Sequence, residues 1–193
     1  MAAGRVLTGF SLPYVAKYAA SGATVTYSNG MRLARGVSVT IEAEAEDDNI
    51  FYADNISAES APGIFTSGTA TLTVDGLKLA AERLIMGLSA ADTAGFVHYG
   101  EDLQIPYVGI GFIARYMEDG VASFVPYILT KARFVTPGVT VQTATETIDW
   151  QTQELTATLL RDDTSNHDWK LVGEEQTSEA AAEAKIKTFL SIT

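Results

Sequence analysis

Three carboxylates at alternate positions are the residues of this chain whose spacing most readily suggests chemistry. Glu42, Glu44 and Glu46 share one face of residues 37–46, where every other residue is apolar. Neighbours on one strand face lie about 7 Å apart, a separation that paired catalytic acids can have. Catalytic pairs, however, face each other across a cleft in differing environments, whereas these three form a uniform row. We therefore predict a negatively charged wall rather than an active site.

A second acidic group has part of the pattern of a calcium-binding loop. It consists of Asp47, Asp48, Asn49, Asp54 and Glu59. A calcium loop of this type needs a glycine at its sixth position and a glutamate at its twelfth, and the segment has neither. The sequence therefore predicts no metal site here. Acids that are solvated, or that face basic side chains of a partner, fit the segment better.

The other candidates for catalysis are two histidines and a glycine pair. His98 and His167 are not spaced as metal ligands, and neither lies near a Gly-x-Ser-x-Gly nucleophile turn. Residues 109–114 match G-x-G-x-x-A, but a dinucleotide site needs a following helix and an acid about 20 residues on. Asp119-Gly120 predicts a turn instead, and residue 129 is leucine. We predict no enzyme and no cofactor.

Composition bounds the functions that the chain can serve. Its 193 residues are enough for one domain with a hydrophobic core. The net charge of −11 argues against nucleic-acid binding, because such binding needs Lys and Arg side chains that neutralise phosphates. The absence of cysteine excludes disulfides and makes a reducing cytoplasm the simpler folding environment. The N-terminal residues lack the apolar core of a signal peptide, and no stretch approaches about 18 apolar residues, so we expect neither secretion nor a membrane partner.

The acidic row belongs to a series of predicted strands. In residues 69–74, Thr69, Thr71 and Thr73 alternate with three apolar residues, which indicates one wet and one buried face. A hairpin is predicted about Asn29-Gly30, because both residues tolerate positive φ. The predicted strands are residues 23–27 and 31–34, 37–46, 69–74, 107–116 and 121–135 about the turn at 118–120, 145–150, and 154–160. In the last of these, Leu155, Ala157 and Leu159 are expected to face inward.

Two helices complete the predicted fold. Residues 76–88 carry an apolar stripe, with Asp75 as the expected cap and Gly87 at the expected left-handed end. Residues 178–190 form the second helix, capped by Ser178. The order of elements contains no β-α-β alternation. The predicted fold class is mainly β (α+β): an antiparallel β-sandwich with one packed α-helix and a C-terminal helix.

The predicted organisation has three parts and one long loop. Residues 1–22 are an N-terminal arm with a short strand near 10–17, residues 23–172 are the sandwich domain, and residues 173–193 are a C-terminal helical extension. Residues 47–68 have no regular pattern, and loops longer than about 12–15 residues tend to be functional or disordered. Their apolar residues either fold back on the core or are covered by another molecule. We favour contacts between subunits, through Ile50, Phe51, Tyr52, Ile56, Ile64 and Phe65.

Several of these segments, taken together, resemble the major tail proteins (tail tube proteins) of long-tailed bacteriophages, of the phi13 / TP901-1 type. The resemblance rests on the order and spacing of residues 25–30 (VTYSNG), 34–39 (ARGVSV), 50–55 (IFYADN), 107–112 (YVGIGF), 127–134 (YILTKARF) and 148–155 (IDWQTQEL), and on the acidic pair at 162–163. It covers most of residues 6–172, and none of these segments is a catalytic signature.

The resemblance implies a structural protein of the virion tail that is assembled in the cytoplasm of the host bacterium. Protomers would close into homohexameric rings, with strands joining into an intersubunit β-barrel, and the rings would stack into a tube. Double-stranded DNA would pass through the lumen without specific binding. Glu42, Glu44, Glu46, Thr69, Thr71 and Thr73 would line that lumen. Tape-measure, tail terminator and distal tail proteins would be further partners.

Two alternatives stay open at this point. The tube could stand alone or lie within a contractile sheath, and either the N-terminal arm or the C-terminal helix could connect the rings. The rival from another class is a carbohydrate- or receptor-binding β-sandwich of a phage or bacterial surface structure. Such a module needs a planar aromatic platform, and Trp150 and Trp169 are not obviously paired.

Overall fold

The computed structural model of the protein describes residues 4–143 and 150–192. The strands are β1 Val6–Ser21, β2 Thr24–Arg32, β3 Gly36–Ala45, β4 Asn49–Ala53, β5 Ile56–Ala61, β6 Phe65–Val74, β7 Val108–Glu118, β8 Val121–Phe134, β9 Gln153–Leu160 and β10 Lys170–Val172. The helices are α1 Leu79–Met86 and α2 Glu179–Phe189.

One antiparallel sheet forms most of the body. Its strands follow the order β2-β1-β7-β8-β9-β6-β3, with β10 paired to β8, while β4 and β5 form a separate two-stranded ladder. The sheet is curled, so that β3 at one end of this order contacts β1 near the other. The mainly β, antiparallel prediction is confirmed, and the architecture is consistent with a β-sandwich.

The apolar side chains form two cores, each covered by one helix. The larger core joins inward residues of the sheet, such as Val15, Leu72 and Ile110, to Ile85 of α1. The smaller core lies under α2, where Ile186 meets Ile113. The strand faces predicted to be buried are confirmed at Ala70, Leu72, Val74, Leu155, Ala157 and Leu159, all fully buried.

The N-terminal segment differs from its prediction. Residues 6–21 are not an arm with a short strand but the 16-residue strand β1, which lies between β2 and β7. The strand contains irregularities: Leu12 has φ 51°, and the pairing register with β7 shifts between Leu7 and Gly9 and between Ser11 and Tyr14. A bulge of this kind accommodates an extra residue without ending the strand.

The hairpin predicted about Asn29-Gly30 is also wrong. Asn29 and Gly30 lie inside β2, and the turn between β1 and β2 is at residues 22–23. Asn29 does adopt positive φ, at 54°, but it serves a bulge where the register with β1 shifts. Gly30 is required because Ile192 and Ala16 pack against it, which leaves no room for a Cβ.

Helix α1 is shorter than predicted and is not capped by Asp75. It begins at Leu79, and Lys78 at the N-cap makes no capping hydrogen bond. Gly76, at φ 133°, separates Asp75 from the helix, and Asp75 instead accepts a hydrogen bond from the backbone N–H of Arg35. The left-handed end at Gly87 is confirmed, at φ 70°.

Helix α2 packs on the sheet, so the segment predicted as a C-terminal extension belongs to the body. Ser178 caps it as predicted, by accepting a hydrogen bond from the N–H of Ala181 at 3.2 Å. Two glycines of β7 make the close approach possible: a Cβ at Gly109 would meet Tyr27 and Leu190, and a Cβ at Gly111 would meet Ile186. Alternate glycines in a strand mark such an approach.

We expect Gly111→Ala to lower the free energy of unfolding by about 1–3 kcal/mol, because the added methyl overpacks the contact with Ile186. Chemical denaturation measures this change. Gly138→Ala is the matched control, since a Cβ there meets nothing within 4 Å. An equal effect of the two substitutions would contradict the close packing of α2 on β7.

The C-terminal half contains one strand that was not predicted, and one predicted strand there lies mostly outside the described residues. The short strand β10 was not predicted, because three residues are too few to show a period. The strand predicted at residues 145–150 lies outside the described residues except for Trp150, which is not in a strand and is exposed.

A polar cluster fixes the loop after β9. Asp163 accepts hydrogen bonds from Lys131 Nζ at 2.7 Å and from Tyr18 Oη, and both hold the pKa of its carboxyl below the usual value. A lowered pKa in the folded state stabilises the fold above the unfolded pKa of about 3.9, and this contribution is lost as the pH falls through the folded value.

We therefore expect the unfolding free energy of Asp163→Asn to fall less between pH 5 and pH 3 than that of the original chain. Urea denaturation at each pH measures the difference. Asp119→Asn, in the exposed β7–β8 turn, serves as the control. Identical acid dependence of Asp163→Asn and the original chain would show that Asp163 contributes no such stability.

Candidate functional site

Residues 47–68 contain a β-hairpin where a long irregular loop was predicted. Strands β4 and β5 pair antiparallel, and Asp54 and Asn55 join them at φ 50° and 65°. Two consecutive positive φ values are typical of the type I′ turn that connects tight hairpins, and Asp and Asn tolerate them. The prediction failed because neither strand has a buried face, and a strand without a buried face need not alternate apolar with polar residues.

The hairpin continues the ribbon formed by β3 and β6. Beyond the last pair of that ladder, the N–H of Glu46 donates to the carbonyl of Ile64 at 3.0 Å. The N–H of Gly63 donates to Asp48 Oδ1, also at 3.0 Å. Residues 46–64 thus form one two-stranded projection from the body, which we call the hairpin arm.

The hairpin arm exposes large apolar side chains. Phe51 and Tyr52 are each 63% exposed and Ile56 is 66% exposed, whereas the sheet buries its apolar face almost completely. The predicted contact residues Ile50, Phe51, Tyr52, Ile56 and Ile64 are all exposed on this arm. Several large apolar side chains exposed on one short hairpin indicate a site of interaction.

Phe65 departs from the predicted set of contact residues. It is half-buried, and its ring stacks on Trp169 with centroids 4.4 Å apart. Arg161 Nε donates to its carbonyl at 2.7 Å. These contacts lie within the chain, so Phe65 fixes the base of the hairpin arm instead of offering its ring to another molecule. Its neighbour Ile64 is 59% exposed.

Five of the six predicted acidic and threonine residues, all but Glu46, share one face of the ribbon. Glu42 on β3 pairs with Thr69 on β6, and Glu44 accepts a hydrogen bond from Ser67 Oγ at 2.9 Å. Glu46 follows directly after β3 and is exposed. Pairing with β9 extends this surface, which we call the acidic face: Glu42, Glu44, Ser67, Thr69, Thr71, Thr73, Glu154, Thr156 and Thr158.

The β9 residues of the acidic face were not predicted to belong to it. Thr156 pairs with Thr71, and Thr158 pairs with Thr69. The signal was present, because Glu154, Thr156 and Thr158 alternate with buried residues just as the β6 threonines do. What the sequence could not supply was the neighbour relation of β6 and β9, which are separated by about 80 residues.

The acidic face carries one sign of charge at the edge of the sheet. Strands β3, β6 and β9 contain no Lys or Arg. The next strand across the sheet is β8, whose basic residue Arg133 pairs with Thr158. On the other side, β3 ends the strand order of the main sheet. The carboxylates of Glu42 and Glu44 therefore extend along an edge strand, in a face that is polar throughout.

The histidines and the candidate calcium ligands have local structural roles. His98 Nε2 lies 2.8 Å from Asp92 Oδ2 in an exposed loop, and His167 Nδ1 lies 3.2 Å from the carbonyl of Asp162. Asp48 accepts a hydrogen bond from Gly63, and Asp54 forms the turn of the hairpin arm. Within residues 4–143 and 150–192, no three His, Asp or Glu side chains are grouped to hold a metal ion.

The two tryptophans lie in different settings. Trp169 is stacked against Phe65, and Trp150 is 85% exposed in a separate segment.

In the part of the chain that the structure describes, no helix is long and apolar enough to cross a membrane. Comparison with known proteins gives no family model that matches the chain and no relative among curated proteins.

Proposed function

We propose that this chain is a structural protein that assembles with copies of itself into the tail tube of a bacteriophage. The proposal combines the resemblance of its sequence segments with two surfaces of the fold. The single observation that carries it is the exposed hairpin arm, whose Phe51, Tyr52 and Ile56 have no cover within the described chain. An arm of this kind gains stability only when another molecule buries those side chains.

The second support is the edge strand β3. An unpaired edge is a template for pairing with another chain, and pairing between copies removes it. Here the edge also bears Glu42 and Glu44 on a face without bases. If copies join into a ring with this face inward, the wall of the lumen is negative. A negative wall repels DNA phosphates and so lets the genome pass without binding.

In this proposal the protein acts in the virion tail, as rings of six copies stacked into a tube. Tape-measure, tail terminator and distal tail proteins are its further partners, as the resemblance implies. It is not an enzyme and needs no cofactor. Four acids of the hairpin arm, Asp47, Asp48, Asp54 and Glu59, are available to basic side chains of an adjacent copy.

Self-association is the first test of the proposal. Sedimentation velocity over a range of protein concentrations should show species much larger than the 20.6 kDa chain, with a fraction that rises with concentration. A monomer that stays monodisperse at the highest concentration would contradict it. Glycan binding by that monomer would then support the carbohydrate- or receptor-binding module instead.

A further inference from the structure

We propose that the apolar groove between α2 and β10 receives the tip of the hairpin arm of a second copy. This inference rests on the proposed self-assembly and adds to it the surface that binds the arm. The groove is lined by Pro126 and Ile128 of β8, Leu171 and Val172 of β10, and Ile186 and Phe189 of α2.

The groove is a suitable size for side chains of a protein partner. Its volume is about 200 Å³, smaller than the roughly 300–1,000 Å³ of small-molecule sites. Val172 is 51% exposed and Phe189 is 39% exposed at its margin. An apolar floor with partly exposed aliphatic and aromatic walls is the kind of pocket in which one or two anchor side chains bind.

The tip of the hairpin arm presents two such anchors on one face. Ile56 pairs directly with Ala53, and Phe51 lies two residues before Ala53 on the same strand. The register shifts between the pairs Phe51–Glu59 and Tyr52–Ser57, so Ala58 is the extra residue of a bulge in β5. Strand β4 has no insertion, so Phe51 and Ala53, with its partner Ile56, point to one side, while Tyr52 and its partner Ser57 point to the other. The Phe51–Ile56 face is the one that we assign to the groove.

Charge favours the same pairing. The hairpin arm carries Glu46, Asp47, Asp48, Asp54 and Glu59 and no base. Lys185 lines the groove, and its ion pair is with Glu174, whose side chain is 91% exposed. Such a solvated ion pair contributes little to the stability of the fold, so Lys185 can exchange Glu174 for a carboxylate of the incoming arm.

The arm cannot reach the groove of its own chain. The groove adjoins β10, which follows Trp169, and Trp169 stacks on Phe65 at the base of the arm. The tip at Asp54 lies nine residues beyond Ala45, on the order of 25–30 Å from that base in an extended ribbon. An arm and a groove on different parts of one molecule allow a head-to-tail contact, which continues from copy to copy into a ring or a filament.

Cysteine pairing between two chains tests the contact, because the natural chain contains no cysteine. One chain carries Ala53→Cys, which keeps both anchors, and the other carries Val172→Cys and a size tag. The control replaces Ala53→Cys by Ser57→Cys, on the opposite face of the same hairpin. Under assembling conditions we expect roughly tenfold more mixed disulfide dimer with the Ala53 variant than with the Ser57 variant, since docking raises the effective concentration of the thiols.

Substitution of the groove supplies the second measurement. Val172→Asp changes a half-exposed side chain, so the melting temperature should stay near that of the original chain while assembly is lost. Val139→Asp, at a site 76% exposed outside the groove, should still assemble. Normal assembly of Val172→Asp, or equal disulfide yields at positions 53 and 57 in assemblies that form, would overturn this groove while leaving the proposed function intact. Absence of any assembly by the original chain would overturn both.

Discussion

Replacing Phe51 and Tyr52 together by alanine should leave a folded monomer that does not polymerise. Both side chains are exposed, so their loss should change the free energy of unfolding by no more than about 0.5 kcal/mol each. An aromatic anchor at an interface contributes about 2 kcal/mol or more, so losing Phe51 should raise the concentration needed for assembly at least roughly thirtyfold. Tyr52 adds to this loss in a tube that covers both faces of the arm. Circular dichroism and negative-stain electron microscopy give the two readouts.

The matched control for this prediction is Phe96→Ala with Tyr99→Ala. These residues are also one phenylalanine and one tyrosine, and they are 68% and 49% exposed in the loop before β7. The control should assemble like the original chain. Normal tubes formed by the Phe51/Tyr52 variant would exclude the hairpin arm as the assembly contact. Loss of assembly in both variants would mean that exposed aromatic area, wherever it lies, is what matters.

Reversing the charge of the acidic face should slow genome release without preventing tail assembly. Glu42→Lys with Glu44→Lys turns two negative charges into two positive ones, and both side chains are exposed, so the fold should persist. A lumen lined by lysines would bind DNA phosphates and release counterions, with an affinity that falls steeply as salt rises. We expect the rate of ejection to fall on the order of tenfold or more at low salt, and to recover as salt is added.

A variant with the same change of charge elsewhere separates this effect from net charge. Glu101→Lys with Asp102→Lys alters two exposed acids of the loop before β7, away from β3 and β6. Its ejection kinetics should match those of the original phage. Unchanged ejection by the Glu42/Glu44 variant, or a tail that collapses, would contradict a lumenal position for this face.

The predictions from sequence succeeded where one residue pattern reported burial directly. Strands β6 and β9 were predicted with the correct inward residues, because strict alternation leaves no other choice of face. The β7–β8 hairpin was equally clear from the sequence, because Asp119-Gly120 lies between two apolar runs. Both residues adopt positive φ in the structure. The alternate positions of Gly109 and Gly111 are typical of a close approach by a helix or a neighbouring backbone, and in the structure it is α2 that packs there.

The predictions failed where a local signal had two structural uses. Asn29 has the positive φ of a turn residue but is used in a bulge, where the register of β2 with β1 shifts. The hairpin arm was missed for the opposite reason. Its strands bury no face, so they show no alternation, and their pairing depends on the Asp54–Asn55 turn and on the ribbon from which they extend.

The candidate site was predicted in composition but not in arrangement. The six acidic and threonine residues were assigned to one surface, and β3 and β6 do pair in the register that places Glu42 beside Thr69. The contribution of β9 depends on long-range strand order, which no local pattern contains. The stacking of Phe65 on Trp169 could not be predicted, because the two residues lie about 100 positions apart.

Electron cryomicroscopy of the concentrated protein shows whether copies form a tube and on which side of its wall the acidic face lies. We expect hollow tubes of stacked rings, with the carboxylates of Glu42 and Glu44 facing the lumen and the hairpin arm buried against a neighbouring copy. Single, unassembled particles at every concentration would contradict this expectation. So would tubes in which Glu42 and Glu44 lie on the outer wall.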